Sequence, residues 1–168
     1  GYYTSEAPTI GIREINVDTL EFTEITATYN GEIITLEEGK DYQVQQLGSQ
    51  ASWKEYSYTI SPSCFTADGL YNITVHSRDA AQNENSNRTA RVEEYAMPVD
   101  FVLDTTAPMV VITGVEADAQ YMEDERLITV LAEDNIRLKS LALELDGASV
   151  ATYDAQQLEE NGGKLTYN

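Results

Sequence analysis

The side chains that most often carry out catalysis are scarce in this chain. His76 is the only histidine and Cys64 the only cysteine. Strand alternation predicts that His76 lies beside Asn72 and Thr74 on a solvent-facing side. Cys64 follows a Ser-Pro-Ser tripeptide in a predicted loop, and no base is evident beside it. We therefore expect a surface histidine and a partly buried, inert thiol.

The remaining motifs of enzyme chemistry are also missing from the sequence. It has no G-x-S-x-G elbow, no glycine-rich phosphate loop and no Cys/His metal motif. With 29 acidic residues, some carboxylate pair falls at glycosidase spacing by chance, so spacing alone indicates nothing. The sequence predicts a protein that is not an enzyme.

The net charge of the chain argues against two classes of binding partner, nucleic acids and anionic membranes. The 168 residues include 10 Lys and Arg against 29 Asp and Glu, a net charge of −19. Such a surface repels nucleic acid and anionic membranes. No apolar run approaches the roughly 18 residues of a membrane span. A hydrophobic content of 42% is sufficient for a packed core.

The elements that must position these residues are predicted to be short strands. Apolar residues recur at every second position in five stretches, and the dipeptides Asn30-Gly31 and Asp146-Gly147 indicate tight turns. Only residues 154–161 have a helical pattern, which Gly162-Gly163 ends. These features favour an all-β sandwich. The alternating sets are Ile25, Ala27 and Tyr29; Tyr56, Tyr58 and Ile60; Tyr71, Ile73 and Val75; Val99, Phe101 and Leu103; and Leu141, Leu143 and Leu145.

Two stretches, 3–31 and 121–147, indicate an internal repeat. Each has an acidic lead-in after a tyrosine, an apolar strand, an E-x-N-[VI] turn, a second strand and a final [ND]-G. Asn16 precedes Asn135 by 119 residues, and Asn30 precedes Asp146 by 116. A period of about 115–120 residues suits one β-sandwich.

The repeat predicts one module at 1–104 and the beginning of a second at 105–168. The second module starts with a predicted strand at 109–115. The sequence before Tyr3 offers no equivalent strand for the first module. The second module also ends before reaching the last strands of the first. An incomplete sandwich leaves apolar faces and edges unpaired, so we expect a neighbouring chain, strand exchange or further residues of the polypeptide to cover it.

Two motifs carry a resemblance to a known family. The segment 68–83, DGLYNITVHSRDAAQN, is similar to a D-G-x-Y-x-[IV]-x-V…D-x-A-G-N pattern. The segment 101–108, FVLDTTAP, is similar to an [IV]-D-x-T-A-P junction. Together they resemble the bacterial immunoglobulin-like repeats of cell-surface and secreted proteins. Gln82 stands where that pattern has glycine, which leaves the geometry of this turn open.

The resemblance implies tandem immunoglobulin-like sandwiches of antiparallel Greek-key sheets. Tyr71, just after Asp68-Gly69, is placed as a tyrosine corner, and Ile73 stands where an antibody domain has a cysteine. Pro108 makes 104–108 a short, stiff connector. A stiff connector between sandwiches suggests a rod.

Calcium is the cofactor that this arrangement could bind. Hard cations take several oxygen ligands, and acidic loops meet at the junction of two such modules. The topology implied by the resemblance places Asp104 and Asp68 near Glu133 and Asp134. The alternative is that these acids are solvated turn residues.

The leading functional hypothesis is a rigid, acidic spacer or adhesive repeat of a large bacterial cell-surface or secreted protein. Its partners are adjacent modules and an unidentified protein or glycan ligand. The alternative is a carbohydrate-binding module, for which Trp53, Tyr56 and Tyr58 offer an aromatic cluster.

Overall fold

A computed structural model describes residues 2–50, 53–89, 96–123 and 125–168 of this protein. The described residues confirm the all-β class, with one short α-helix and one turn of 3₁₀ helix. The chain divides into two compact units, Gly1–Thr105 and Thr106–Asn168. No helix within the described ranges is long and apolar enough to cross a membrane.

Unit 1 is a β-sandwich of two sheets. One sheet has the strand order β1-β9-β7-β3-β4, with β8 also paired to β7, and the other has the order β2-β6-β5. β1 runs parallel to β9, and the remaining described pairs are antiparallel. The strands are β1 (Tyr2–Thr4), β2 (Ile10–Asn16), β3 (Leu20–Tyr29), β4 (Glu32–Thr35), β5 (Tyr42–Gln50), β6 (Trp53–Ile60), β7 (Gly69–Asp79), β8 (Glu84–Ser86) and β9 (Val99–Leu103).

The core of unit 1 lies between the two sheets and follows the predicted alternation. Ile25 and Ile73 face it from one sheet and Ile60 from the other, and none of the three has exposed surface. Phe65 and Phe101 pack edge to face with ring centroids 5.0 Å apart. These contacts join the sheets through apolar packing, which is the main source of folding stability.

Unit 2 is smaller. It has a three-stranded sheet of order β10-β11-β14, the hairpin β12-β13 and the helix α1. Its main buried cluster is small and consists of Ala132, Leu138, Leu158 and Leu165. The elements are β10 (Met109–Thr113), β11 (Thr129–Glu133), β12 (Leu141–Leu145), β13 (Ala148–Tyr153), α1 (Ala155–Glu160) and β14 (Lys164–Tyr167).

Local sequence signals are confirmed where the chain turns. Asn30 and Gly31 have φ of 48° and 87° between β3 and β4, and Asp146 and Gly147 have 52° and 78° between β12 and β13. Consecutive positive φ values match the twist of a two-residue hairpin. The predicted helix is also confirmed, since Asp154 caps α1 through a reciprocal capping box with Gln157.

Three features differ from the pattern read in the sequence. The sequence does not predict the short strand β1, because three residues are too few to show alternation. β10 begins at the predicted residue but ends at Thr113, since Gly114 adopts a φ of 89°. The alignment of the internal repeat also differs. β2 turns Ile10 and Ile12 inward, and β11 buries Val130 and Ala132. Aligning these inward faces requires an even sequence offset between the two strands, whereas Asn16 and Asn135 give an odd offset of 119.

Candidate functional site

His76 and Cys64 lie on different elements of unit 1. His76 projects from β7, with Nε2 3.7 Å from a Glu84 carboxylate oxygen and its ring edge-on to Phe22. Cys64 ends the one-turn 3₁₀ helix Pro62–Cys64, and its thiol donates to the carbonyl of Asp41. Burial, with the Asp41 charge added, raises the pKa of the Cys64 thiol and disfavours the nucleophilic thiolate.

The aromatic cluster of the alternative hypothesis is not a continuous exposed platform. Tyr58 is only 2% exposed, and Tyr56 packs against the core of unit 1. Trp53 is half-buried at the end of β6 and lies across Gly48 of β5, where a Cβ would approach the indole ring at 2.4 Å. A sugar-stacking surface needs exposed ring faces, which the buried Tyr58 does not offer.

The residues at the start of β7 form a tyrosine corner. The Tyr71 hydroxyl donates to the carbonyl of Ala67 at 3.0 Å and accepts from the Ala67 N–H at 3.3 Å. Gly69 has a φ of 151°, and a Cβ there would meet Cε2 of Tyr29 at 2.7 Å. Ile73 is fully buried two residues beyond Tyr71. This arrangement fixes the loop that enters β7.

The turn left open by the sequence joins β7 to β8. Gln82 adopts the left-handed conformation, with a φ of 67°, in the position that glycine would favour. Its N–H donates to the carbonyl of Asp79, and its side-chain amide donates to Glu21 at 2.7 Å. Hydrogen bonds from Asn83 lower the pKa of Asp79, which accepts them within the same turn.

The four carboxylates proposed for calcium fall into two pairs. Asp68 and Asp104 flank the paired ends of β7 and β9 in unit 1. Glu133 and Asp134 follow one another at the end of β11 in unit 2. Over its described residues, neither unit gathers three or more Asp, Glu, His or Cys side chains that could hold a metal ion.

Three of these carboxylates have partners within their own unit. Asp68 accepts from the N–H and the hydroxyl of Thr105, at 2.8 and 2.7 Å. Asp134 accepts from two backbone N–H groups two and three residues later, as in an Asx turn. Glu133 pairs with Lys164 at 2.5 Å.

Pro108 lies exposed directly before β10.

A groove of about 840 Å³ lies along the outer edge of β2. β2 forms one wall, and the inward residues of β7 with parts of β8 and β9 form the opposite wall. Among the described strands, β2 pairs only with β6, so its other edge lines the groove with unpaired backbone groups. The lining includes Gly11 to Asn16, Val75, Ser77, Met97 and Val99.

Glu14 gives this groove a polar centre. One carboxylate oxygen accepts a short hydrogen bond from Ser77, and the other accepts from the Tyr58 hydroxyl at 3.0 Å. Burial raises the pKa of Tyr58, and the Glu14 charge raises it further. On the other face of this sheet, buried Glu55 binds the guanidinium of Arg13. The sequence interpretation missed Glu14, although its alternation with Ile10 and Ile12 could have predicted an inward direction.

The fold defines a β-sandwich with an open edge strand and a second, smaller β unit. No known protein-family model matches this sequence, and no curated protein is significantly similar to it.

Proposed function

We propose that this chain is a pair of immunoglobulin-like modules that serves as a non-catalytic spacer or adhesive repeat of a large bacterial surface or secreted protein. The sheet order of unit 1 supports this proposal. β2, β6 and β5 take the places of strands B, E and D, and β3, β7 and β9 take those of C, F and G. The Tyr71–Ala67 hydrogen bond lies at the start of the strand corresponding to F.

The strand order of unit 2 supports the same proposal. β10, β11 and β14 are ordered as strands A, B and E, and the β12-β13 hairpin corresponds to C and C′. Both units therefore contain the same hairpin with a two-residue turn of positive φ, at Asn30-Gly31 and at Asp146-Gly147. In this assignment, unit 2 comprises the strands with which an immunoglobulin-like sandwich begins.

The pairing of β1 with β9 is the observation that best supports a mechanical role. Of the described strands of unit 1, β1 is the first along the chain and β9 the last, and the two run parallel with Tyr2 opposite Phe101 and Thr4 opposite Leu103. Tension on the ends of the unit therefore slides one strand along the other. Their hydrogen bonds then resist together in shear rather than one after another, which suits a spacer under load.

Single-molecule force spectroscopy on the full chain tests this proposal. The Thr4 carbonyl accepts from the Asp104 N–H, so the backbone groups of Thr4 face β9. Thr4→Pro removes the backbone donor on this side of β1, and we expect it to lower the unfolding force of unit 1. Ile33→Pro is the matched control, because Ile33 is 70% exposed on the edge strand β4, away from the path of force. Equal losses of force in the two variants would contradict a load-bearing β1–β9 pair.

The acidic surface suits the proposed location outside the cell. A net charge of −19 keeps neighbouring copies apart and soluble at low ionic strength. Calcium belongs to the same proposal, as an ion that would stiffen the chain through carboxylate oxygens.

The carbohydrate-binding alternative rests on Trp53 and Tyr56, which are partly exposed, since Tyr58 is buried. Glycan-array binding that Trp53→Ala abolishes would favour it over the spacer. Tyr121→Ala is a suitable control, because Tyr121 is an exposed aromatic residue of unit 2 outside this cluster.

A further inference from the structure

The strand β4 forms one edge of the larger sheet of unit 1. Among the described strands it pairs only with β3, so its other side has no neighbouring strand. The chain is described on both sides of β4, from residue 2 to residue 50. The strands that flank residues 90–95, β8 and β9, both pair with β7 instead. The free edge of β4 is therefore a feature of the described fold itself.

The hydrogen-bond pattern shows which groups of β4 face this free edge. Leu36, directly after β4, donates its N–H to the carbonyl of Ile25 on β3 at 2.9 Å. Because hydrogen-bonded and non-hydrogen-bonded pairs alternate along an antiparallel ladder, Ile34 also bonds to β3. Ile33 and Thr35 therefore direct their N–H and carbonyl groups outward, where an added strand would pair with them.

This edge is apolar and regular. Edge strands are often protected by lysine, proline or a β-bulge, and the four residues of β4 include none of these. Two isoleucines are exposed instead, Ile33 at 70% and Ile34 at 44%. By contrast β5, an edge strand of the other sheet, has an irregular register between Gln46 and Gly48. β4 is thus open to the addition of another strand.

The charge around β4 selects the strand that can pair with it. Glu32 begins β4, and Glu37 and Glu38 follow its end, while Glu24 lies on the adjacent strand β3. All four side chains are exposed. Of the four, only Glu37 forms an ion pair with a described residue, Lys40, at 3.4 Å. A basic strand would neutralise these carboxylates, whereas an acidic strand would be repelled by them.

We propose that the outer edge of β4 binds a basic, extended segment of another protein by β-strand addition. Main-chain hydrogen bonds to Ile33 and Thr35 supply affinity, and the alternating side chains supply specificity. The segment has apolar residues in its middle, opposite Ile33 and Ile34. It has a basic residue near each end, where Glu32 and Glu38 lie. The inference does not rest on the spacer role.

A second copy of this chain is a poor occupant of the same edge. Pairing of β4 with β4 in either direction would bring acidic residues together at the strand ends, and each copy has a net charge of −19. A basic segment is attracted by the same charges, so its binding should weaken as the salt concentration rises. A single strand pair is a small interface, so the binding is weak.

An NMR titration of the isotope-labelled full chain tests the proposal. The probe is a blocked hexapeptide, Lys-Val-Thr-Val-Val-Lys, at millimolar concentration and low salt. We expect it to slow amide hydrogen exchange at Ile33 and Thr35 by at least about twofold, because these N–H groups point outward. Exchange at Ile34, already bonded to β3, should not change. The acidic peptide with Glu in place of Lys should have no effect. Unchanged exchange at Ile33 and Thr35 with the basic peptide, or an equal effect of the acidic one, would overturn the proposal.

Ile33→Pro tests the role of the main chain. It removes an outward N–H donor and leaves the hydrogen bonds to β3 in place, so the variant should fold, as circular dichroism can verify, and lose peptide binding. Binding of the peptide to this folded variant with the affinity of the parent would exclude strand addition at β4.

A second pair of variants tests the charge without altering the backbone. Glu32→Gln combined with Glu38→Gln should weaken peptide binding about two- to tenfold. Glu6→Gln combined with Glu144→Gln is the matched control, because both residues are exposed, lie outside β3 and β4, and change the net charge equally. Equal weakening by the two pairs would show that the net charge, and not the edge of β4, attracts the peptide, and the proposal would fail.

The protein without peptide shows whether a second copy occupies the edge. We expect hydrogen exchange at Ile33 and Thr35 to be independent of protein concentration. If exchange at these residues slows as the concentration rises, and Ile33→Pro abolishes the effect, then β4 binds a second copy and the proposal is wrong.

Discussion

The hydroxyl of Tyr71 lies 3.0 Å from the carbonyl oxygen of Ala67, so a side chain on β7 fixes the loop that leads into its own strand. Tyr71 is only 3% exposed and its ring stacks against Phe101. We expect Tyr71→Phe to keep this packing and lose the hydrogen bond, at a cost of about 0.5–1.5 kcal/mol in the free energy of unfolding. Urea denaturation measures it, with Tyr2→Phe at a 65% exposed site as the control. A loss no larger than that of the control would contradict a role for this contact.

Gly69 is the second determinant of the same corner. Gly69→Ala places a side chain in a backbone region that only glycine adopts readily, and its Cβ would lie 2.7 Å from the Tyr29 ring. We expect a destabilisation of about 2 kcal/mol or more. Gly11→Ala is the matched control, because its Cβ would meet no atom within 4 Å, and it should be neutral or stabilising. Thermal melting of both variants decides whether position 69 is special.

Gln82 is a position at which glycine should stabilise the fold instead of alanine destabilising it. It holds a φ of 67°, so Gln82→Gly removes backbone strain in the turn between β7 and β8. We expect a gain of up to about 1 kcal/mol in stability, reduced by the exposed Gln82–Glu21 hydrogen bond that is lost. Ala81→Gly, one residue earlier and without a positive φ, should destabilise instead. If both glycines destabilise equally, relief of strain is not the cause.

Asp100 links stability to pH. Arg88 is the main reason that its pKa lies below the usual value, and Asn72 also donates to this carboxylate. A carboxyl whose folded pKa is lowered stabilises the fold above its unfolded pKa of about 3.9 and loses that contribution as pH falls toward the folded value. We therefore expect Asp100→Asn to be less stable than the parent at pH 6, and the difference to shrink as the pH falls below the unfolded pKa. Denaturation at a series of pH values measures this, and a constant difference would contradict the linkage.

Calcium binding remains a prediction with a clear readout. An ion that binds only the folded protein raises stability by about 1.4 kcal/mol at tenfold its dissociation constant, which corresponds to a few degrees of melting temperature. Millimolar calcium should therefore raise the melting temperature of the parent. Asp134→Asn keeps an oxygen that can accept from the Ile136 and Arg137 N–H groups but removes the charge. An equal shift in this variant, or none in the parent, would exclude a site at Asp134.

Much of the local structure follows from the sequence alone. Alternation of apolar residues determines which side of β3, β7 and β9 is buried, because successive strand residues face opposite ways. Asn30-Gly31 and Asp146-Gly147 determine the hairpins, since few other pairs accept two positive φ values. The capped helix α1 is set by Asp154, Gln157 and the glycines that follow it.

The partners of each strand are decided only by the tertiary structure, because pairing is a long-range choice that alternation does not specify. Nothing in Tyr2–Thr4 indicates that it runs parallel to β9 almost a hundred residues later. Glu14 becomes a partner of Ser77 and Tyr58 only when the two sheets pack. The open edge of β2 is likewise a property of the assembled sheets, since the sequence of a strand is the same whether or not a neighbour lies beside it.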